Sequence, residues 1–145
     1  MTHLESMLIR QECDDFFNHD KHVPYYDSKH ILSIDIGINL QEGLSSDECL
    51  LIFRNRLPNY IKDLANNLPW FSRLDEVRQD ALTNMCYNMG IQRLLGFHNM
   101  LTAFSQGNYD EAAKECLDSQ AARDLPARYT EIANMIKTGE YTNVT

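Results

Sequence analysis

Pro24-Tyr25-Tyr26-Asp27-Ser28-Lys29-His30-Ile31-Leu32-Ser33-Ile34-Asp35-Ile36-Gly37-Ile38-Asn39-Leu40 is the stretch that decides the fold class of this chain. Its later part has a period of two: Leu32, Ile34, Ile36 and Ile38 alternate with Ser33, Asp35 and Gly37. Successive strand side chains point to opposite faces, so the pattern predicts a half-buried antiparallel strand within 25–38 and a small sheet.

The segments around it read mostly as helices. Leu4, Met7, Leu8 and Gln11 trace one face of a short helix ending near Glu12, and 13–23 breaks that pattern with polar residues, as an exposed loop does. Ser45 with Glu48 is a capping-box signature for the start of a helix. Leu50, Phe53, Leu57, Ile61, Leu64 and Leu68 then recur at helical spacing and are expected to pack in the core. Pro58 interrupts the run, and a mid-helix proline costs roughly 3 kcal/mol, so two helices or one kinked connector are expected. A helix over about 75–89 closes at Gly90, an apolar run from Leu94 to Phe104 stops at Gly107, and Asn108 with Glu111 opens a helix toward Leu117. Pro126 suits the first turn of a last helix that ends before Gly139. The fold class is therefore α+β. We expect one domain over 1–145, in which a small β-containing lobe (about 13–57) is joined by a helix to a larger helical lobe (about 58–145, with the N-terminal helix 3–12).

A chain of 145 residues can bury roughly two thirds of its unfolded surface in one core. Its net charge of −8 is spread along the chain with no basic block, which argues against nucleic acid and anionic membranes as partners. No run approaches the ~20 apolar residues of a membrane span, so no membrane insertion is expected. The start, Met1-Thr2-His3-Leu4-Glu5, lacks the basic and apolar regions of a signal peptide, which predicts synthesis in the cytoplasm. Cys13, Cys49, Cys86 and Cys116 show no CxxC spacing and read as reduced thiols. A monomer is the default.

The candidate chemistry lies in Glu12, Asp27 and Ser33: one carboxylate at a helix end, a second on the hairpin-like stretch, and a hydroxyl shortly after it. An acid, a base and a group that positions water are the parts needed to split a glycosidic bond by inversion. Each residue also has a plainer reading: a solvated helix end, an Asx-turn and a strand serine. Cys13, Asp14, His19, Asp20 and His22 could be read as a metal cluster, but a polar loop accounts for them, and no metal or cofactor is expected.

The ordered motifs resemble the phage-type lysozymes, or endolysins (glycoside hydrolase family 24), over nearly the whole chain. Leu8-Ile9-Arg10-Gln11-Glu12 looks like the family's opening helix, Pro24-Tyr25-Tyr26-Asp27-Ser28 like its Pro-Tyr-x-Asp-Ser segment, and Leu32 to Leu40 like its Leu-Thr-Ile-Gly-x-Gly-x-Asn-Leu segment. Further along, Leu68-Pro69-Trp70-Phe71, Leu74-Asp75-x-Val77-Arg78, Asn84-Met85-x-Tyr87-Asn88-Met89-Gly90, Leu94-Leu95-Gly96-Phe97 and Gly107-x-Tyr109-x-x-Ala112-Ala113 continue it. There are departures. The loop after Glu12 is longer than in the shortest members, Ser33 replaces a threonine, His30 and Asp35 replace turn glycines, and Ala121 replaces a tryptophan.

The resemblance implies a lysozyme-like fold. It also implies hydrolysis of the bond between N-acetylmuramic acid and N-acetylglucosamine in bacterial peptidoglycan, without a cofactor. Glu12 would protonate the leaving oxygen. A helix C-terminus with Asp14 and Asp15 nearby favours its protonated form, whereas Arg128, the family's supporting arginine, opposes it. Asp27 would stay ionised and share a water with Ser33, which needs roughly 6.5–9.5 Å between carboxyl groups. Asn39 and Tyr87 are the implied substrate-binding residues. The enzyme would act on the wall after release, through a holin or another delivery route such as toxin secretion. The alternative is an altered or inactive lysozyme-like protein that binds glycan or a protein partner.

Overall fold

In the computed structural model of the protein, which describes residues 1–12 and 21–142, the chain is α+β. Its elements are α1 (His3–Glu12), β1 (Pro24–Tyr26), β2 (Leu32–Ile34), β3 (Ile38–Asn39), α2 (Ser46–Asn67), α3 (Glu76–Met89), α4 (Ile91–Leu95), α5 (His98–Ser105), α6 (Tyr109–Leu117), α7 (Gln120–Asp124) and α8 (Pro126–Thr138). A 3₁₀ turn, Phe71–Arg73, lies between α2 and α3. The chain divides into two compact units, 1–52 and 53–145. The first contains α1 and the sheet, the second contains α3 to α8, and α2 begins in one and ends in the other.

In the first unit the strands run antiparallel in the order β1-β2-β3. Tyr25 faces Ser33 across one pair, and Ser33 faces Asn39 across the next. The expected alternation is not what is buried. A turn at 35–37 splits the run, Ile38 is 44% exposed, and Leu32 and Ile34 are only half-buried, whereas Ser33 is 4% exposed. A strand of three residues is too short to carry a long apolar face, and the covered face holds the hydroxyl instead. Two non-glycine residues in the turns have left-handed backbone: φ is +59° at His30 and +50° at Asp35.

Helix starts follow local capping chemistry. The Ser45 N–H donates to Glu48 Oε2 at 2.7 Å and the Glu48 N–H donates to Ser45 Oγ at 3.3 Å, a reciprocal capping box at the start of α2. Asp75 accepts from the Arg78 N–H, Asn108 from the Glu111 N–H and Ser119 from the Ala122 N–H at the starts of α3, α6 and α7. α7 itself has no counterpart in the sequence reading, and the apolar run 94–104 is divided between α4 and α5.

Two expectations for α2 are narrowed by the structure. Of the two alternatives left by Pro58, the structure excludes two separate helices: one helix is continuous through it. Arg54, Pro58 and Asn59 are exposed, so this stretch of the helix faces solvent, where a carbonyl left without its helical partner is satisfied most readily. The Leu50–Leu68 stripe is not all core: Leu64 and Leu68 are buried, but Leu50, Phe53 and Ile61 are exposed.

The apolar core among the described residues lies in the second unit. α8 packs with α3, α6 and α7, and Leu64, Phe71, Leu82, Met85, Leu94, Met100, Phe104, Ile132 and Ile136 fill the interior. Trp70 stacks on Phe104 at 5.6 Å and 11°. The fully buried Tyr129 donates its hydroxyl to Asn88 Oδ1 at 2.8 Å, which satisfies a polar group that burial would otherwise penalise. Cys49, Cys86 and Cys116 are free thiols, and burial pushes Cys116 up to about 12; Cys13 lies outside the described residues. No helix among the described residues is long and apolar enough to cross a membrane.

Arg78 ties three helices together. Its Nε donates to the Ile136 carbonyl at 2.7 Å and Nη2 to the Lys137 carbonyl at 3.1 Å, acceptors that the end of α8 leaves unpaired. Nη1 binds Asp75 at 2.9 Å, and the guanidinium lies 3.7 Å over the Tyr109 ring. Gly139 ends α8 at φ +69°, and a Cβ there would stand 2.6 Å from Arg78 Nη1. Gly139→Ala therefore meets both backbone strain and a clash. Gly107→Ala, at φ +70° with nothing within 4 Å, meets only the strain. We expect Gly107→Ala to lose about 1–2 kcal/mol and Gly139→Ala clearly more, as read from urea unfolding midpoints.

Candidate active site

The turn between β1 and β2 is built on Asp27. Its N–H donates to the Ile31 carbonyl at 3.0 Å, and its own carbonyl accepts from the His30 N–H at 2.9 Å. Side-chain Oδ1 accepts from the Lys29 N–H at 2.8 Å and the Ile31 N–H at 2.9 Å. This is the Asx-turn geometry of the plainer reading. It also fixes the carboxylate plane, and Oδ2 takes no hydrogen bond among the described residues. Asp27 is half-buried.

Ser33 occupies the middle strand with its Oγ 3.4 Å from the Ile31 carbonyl, a long and weak donation that leaves the hydroxyl available to a better partner. Asn39 is its cross-strand neighbour on the same face. The Asn39 Oδ1 accepts from the Gln41 N–H at 2.9 Å, so the amide nitrogen is the end left to bind a ligand.

Glu12 is the last residue of α1 and is exposed. Its carboxylate rests on the turn between β2 and β3: a Cβ built on Gly37 would lie 2.9 Å from Glu12 Oε2. Gly37 has φ +74°, so the backbone there favours glycine, and a side chain would also have to push the Glu12 carboxylate aside. Asp14 and Asp15, expected to influence Glu12, lie outside the described residues, as do Cys13, His19 and Asp20 of the metal reading. His22, the remaining member, has its Nδ1 2.7 Å from Asp35 Oδ1. Among the described residues no group of side chains could hold a metal ion.

Tyr87 and Arg128 belong to the second unit and line one cleft there, of about 390 Å³, with Phe53, Leu57, Asp80, Thr83 and Asn84. Tyr87 is 45% exposed, and its ring packs edge-on against Phe53 at 5.6 Å and Tyr60 at 5.2 Å. Arg128 grips Asn84: Nη2 and Nε donate to its Oδ1 at 2.7 and 2.9 Å. The guanidinium plane is thereby oriented.

Sequence reasoning missed Gly37 as the seat of Glu12, Asn84 as the anchor of Arg128, and the His22–Asp35 pair. A signal existed for Gly37 and Asn84, which both lie inside motifs quoted for their resemblance. None existed for the pair, whose members are separated by the whole β1–β2 hairpin.

Residues 17–127 match the family model described as "Phage lysozyme". That span contains Asp27, Ser33, Asn39 and Tyr87 and leaves Glu12 and Arg128 outside. The chain is 28% identical over 99 residues to "Probable T4-type lysozyme 1" of Dictyostelium discoideum, covering 66% of this chain and 58% of that protein. It is 27% identical over 115 residues to "Pre-baseplate central spike protein Gp5" of Enterobacteria phage T4, covering 75% of this chain and 20% of that protein. The chain thus spans only part of the length of these curated relatives. With a family match over most of its length and an α+β, lysozyme-like fold, it belongs to the phage lysozyme family.

Proposed function

We propose that the protein is a muramidase, which hydrolyses the bond between N-acetylmuramic acid and N-acetylglucosamine in bacterial peptidoglycan with inversion at the sugar carbon. Glu12 gives its carboxyl proton to the leaving oxygen. Asp27 stays ionised, and its Oδ2 stabilises positive charge on the sugar. Asp27 and Ser33 hold the water that attacks from the opposite face. Asn39 and Tyr87 bind the glycan, the aromatic ring by stacking on a sugar face, and Arg128 supports the site.

One observation carries this reading. The Glu12 carboxylate rests against Gly37 in the turn between β2 and β3, and those two strands carry Ser33 and Asn39 side by side. A second reading, a lysozyme-like protein that binds glycan or a partner without cleaving it, is favoured by the family match beginning beyond Glu12.

Purified bacterial sacculi distinguish the two. Wild type should release new reducing N-acetylmuramic ends, identified by mass spectrometry, and Glu12→Gln should reduce the rate by about 10²–10⁴-fold, the usual worth of a general acid. Equal inactivity of two folded proteins would leave the binding reading. Asp27 can be tested for its two roles separately. Asp27→Asn keeps the Oδ1 acceptor, so it should fold with little loss of stability yet lose most activity. Asp27→Ala should in addition lose about 1–2 kcal/mol in unfolding, since two backbone donors lose their partner.

A further inference from the structure

Asp35 stands at φ +50°, a conformation glycine adopts freely and most other residues avoid. Its side chain is only 11% exposed, and Oδ1 is buried with no hydrogen bond of good geometry among the described residues. Among the described residues the one group placed to donate to that oxygen is Nδ1 of His22, at 2.7 Å. A buried carboxylate oxygen left without a partner is strongly unfavourable, so the 2.7 Å contact with His22 Nδ1 is the one that compensates its burial. The backbone of the same residue is held as well. Its carbonyl accepts from the Tyr25 hydroxyl at 3.2 Å and from the Gly37 N–H at 2.7 Å. The turn 35–37 is thus gripped through the side chain by His22 and through the carbonyl by Tyr25, and Gly37 of that turn receives the Glu12 carboxylate.

We infer that His22 and Asp35 are a positioning pair: their contact fixes the 35–37 turn as the backing that holds the Glu12 carboxylate in place. The inference rests on the reading of Glu12 as the acid and extends it to residues that touch no substrate. Proton transfer demands placement to a fraction of an ångström, and a shift of about 1 Å can cost about 10²-fold in rate.

Three variants of the full chain test this: His22→Ala, Asp35→Gly and Asp35→Asn. Glycine removes the anchor while easing the backbone, whereas asparagine keeps an acceptor for the His22 N–H. Amide hydrogen exchange at Ile36 and Gly37, followed by NMR, reports the turn whether or not the protein cleaves anything. His22→Ala and Asp35→Gly should speed that exchange about tenfold and lower kcat on sacculi about tenfold with KM within about twofold, while Asp35→Asn stays near wild type on both counts. Unchanged exchange in His22→Ala and Asp35→Gly, or Asp35→Asn behaving like Asp35→Gly, overturns the inference. A wild type that cleaves no sacculi refutes the muramidase reading instead, and the exchange measurement still decides whether the pair holds the turn.

Discussion

The approach of the Glu12 carboxylate to the bare Cα of Gly37 is the constraint around which the first unit is arranged. A side chain at position 37 would displace the Glu12 carboxylate from its place, and the backbone there is left-handed at φ +74°, which favours glycine at that position. That turn sets where β3 returns beside β2, and so brings Asn39 opposite Ser33. It also gives the end of α1 a surface on which a carboxylate can lie. Helix, turn and sheet register meet in one contact.

The apolar packing described above supports the second unit, where helices enclose a continuous interior and Arg78 holds the end of α8. In the first unit α1 buries no residue, and Ser33 is the one buried side chain among those described. A sheet this small has little apolar area to bury and is marginal by packing alone. Its order comes from directional contacts: the Asx turns of Asp27 and Asn39, two left-handed residues at the ends of hairpins, and the His22–Asp35 pair. Segments of this kind open at low free energy, so a candidate site built on them depends on each contact more than a core does.

Much of the helical frame was legible because its signals are local. Ser45 with Glu48, Asp75, Asn108, Pro126 and Gly139 mark helix ends through chemistry confined to a few neighbouring residues, and the structure uses each of them there. Ser33 was legible from its motif but not from hydropathy, since the alternation assigned the covered face to isoleucines and the structure gives it to the hydroxyl. Pro58 left two helices or one connector open, because its local cost does not say whether the helix divides; the structure keeps one helix. His22 and Asp35 were read apart, one as a loop residue and the other as a strained replacement, because no periodicity connects them across a hairpin. Position, spacing and capping are written in the chain; a contact across a turn emerges only when the turn is built.

The central claim is that the two carboxylates divide the work, Glu12 giving the proton and Asp27 with Ser33 directing a water. The configuration of the freshly released reducing sugar tests it most directly, followed by proton NMR from the first minutes of cleavage of a defined peptidoglycan fragment. The account predicts the anomer opposite to that of the bond cleaved, because water attacks in a single step. A product of retained configuration would contradict it, since retention needs two successive displacements, through a group on the protein or the sugar's own acetamido group, rather than one attack by a water held by Asp27 and Ser33.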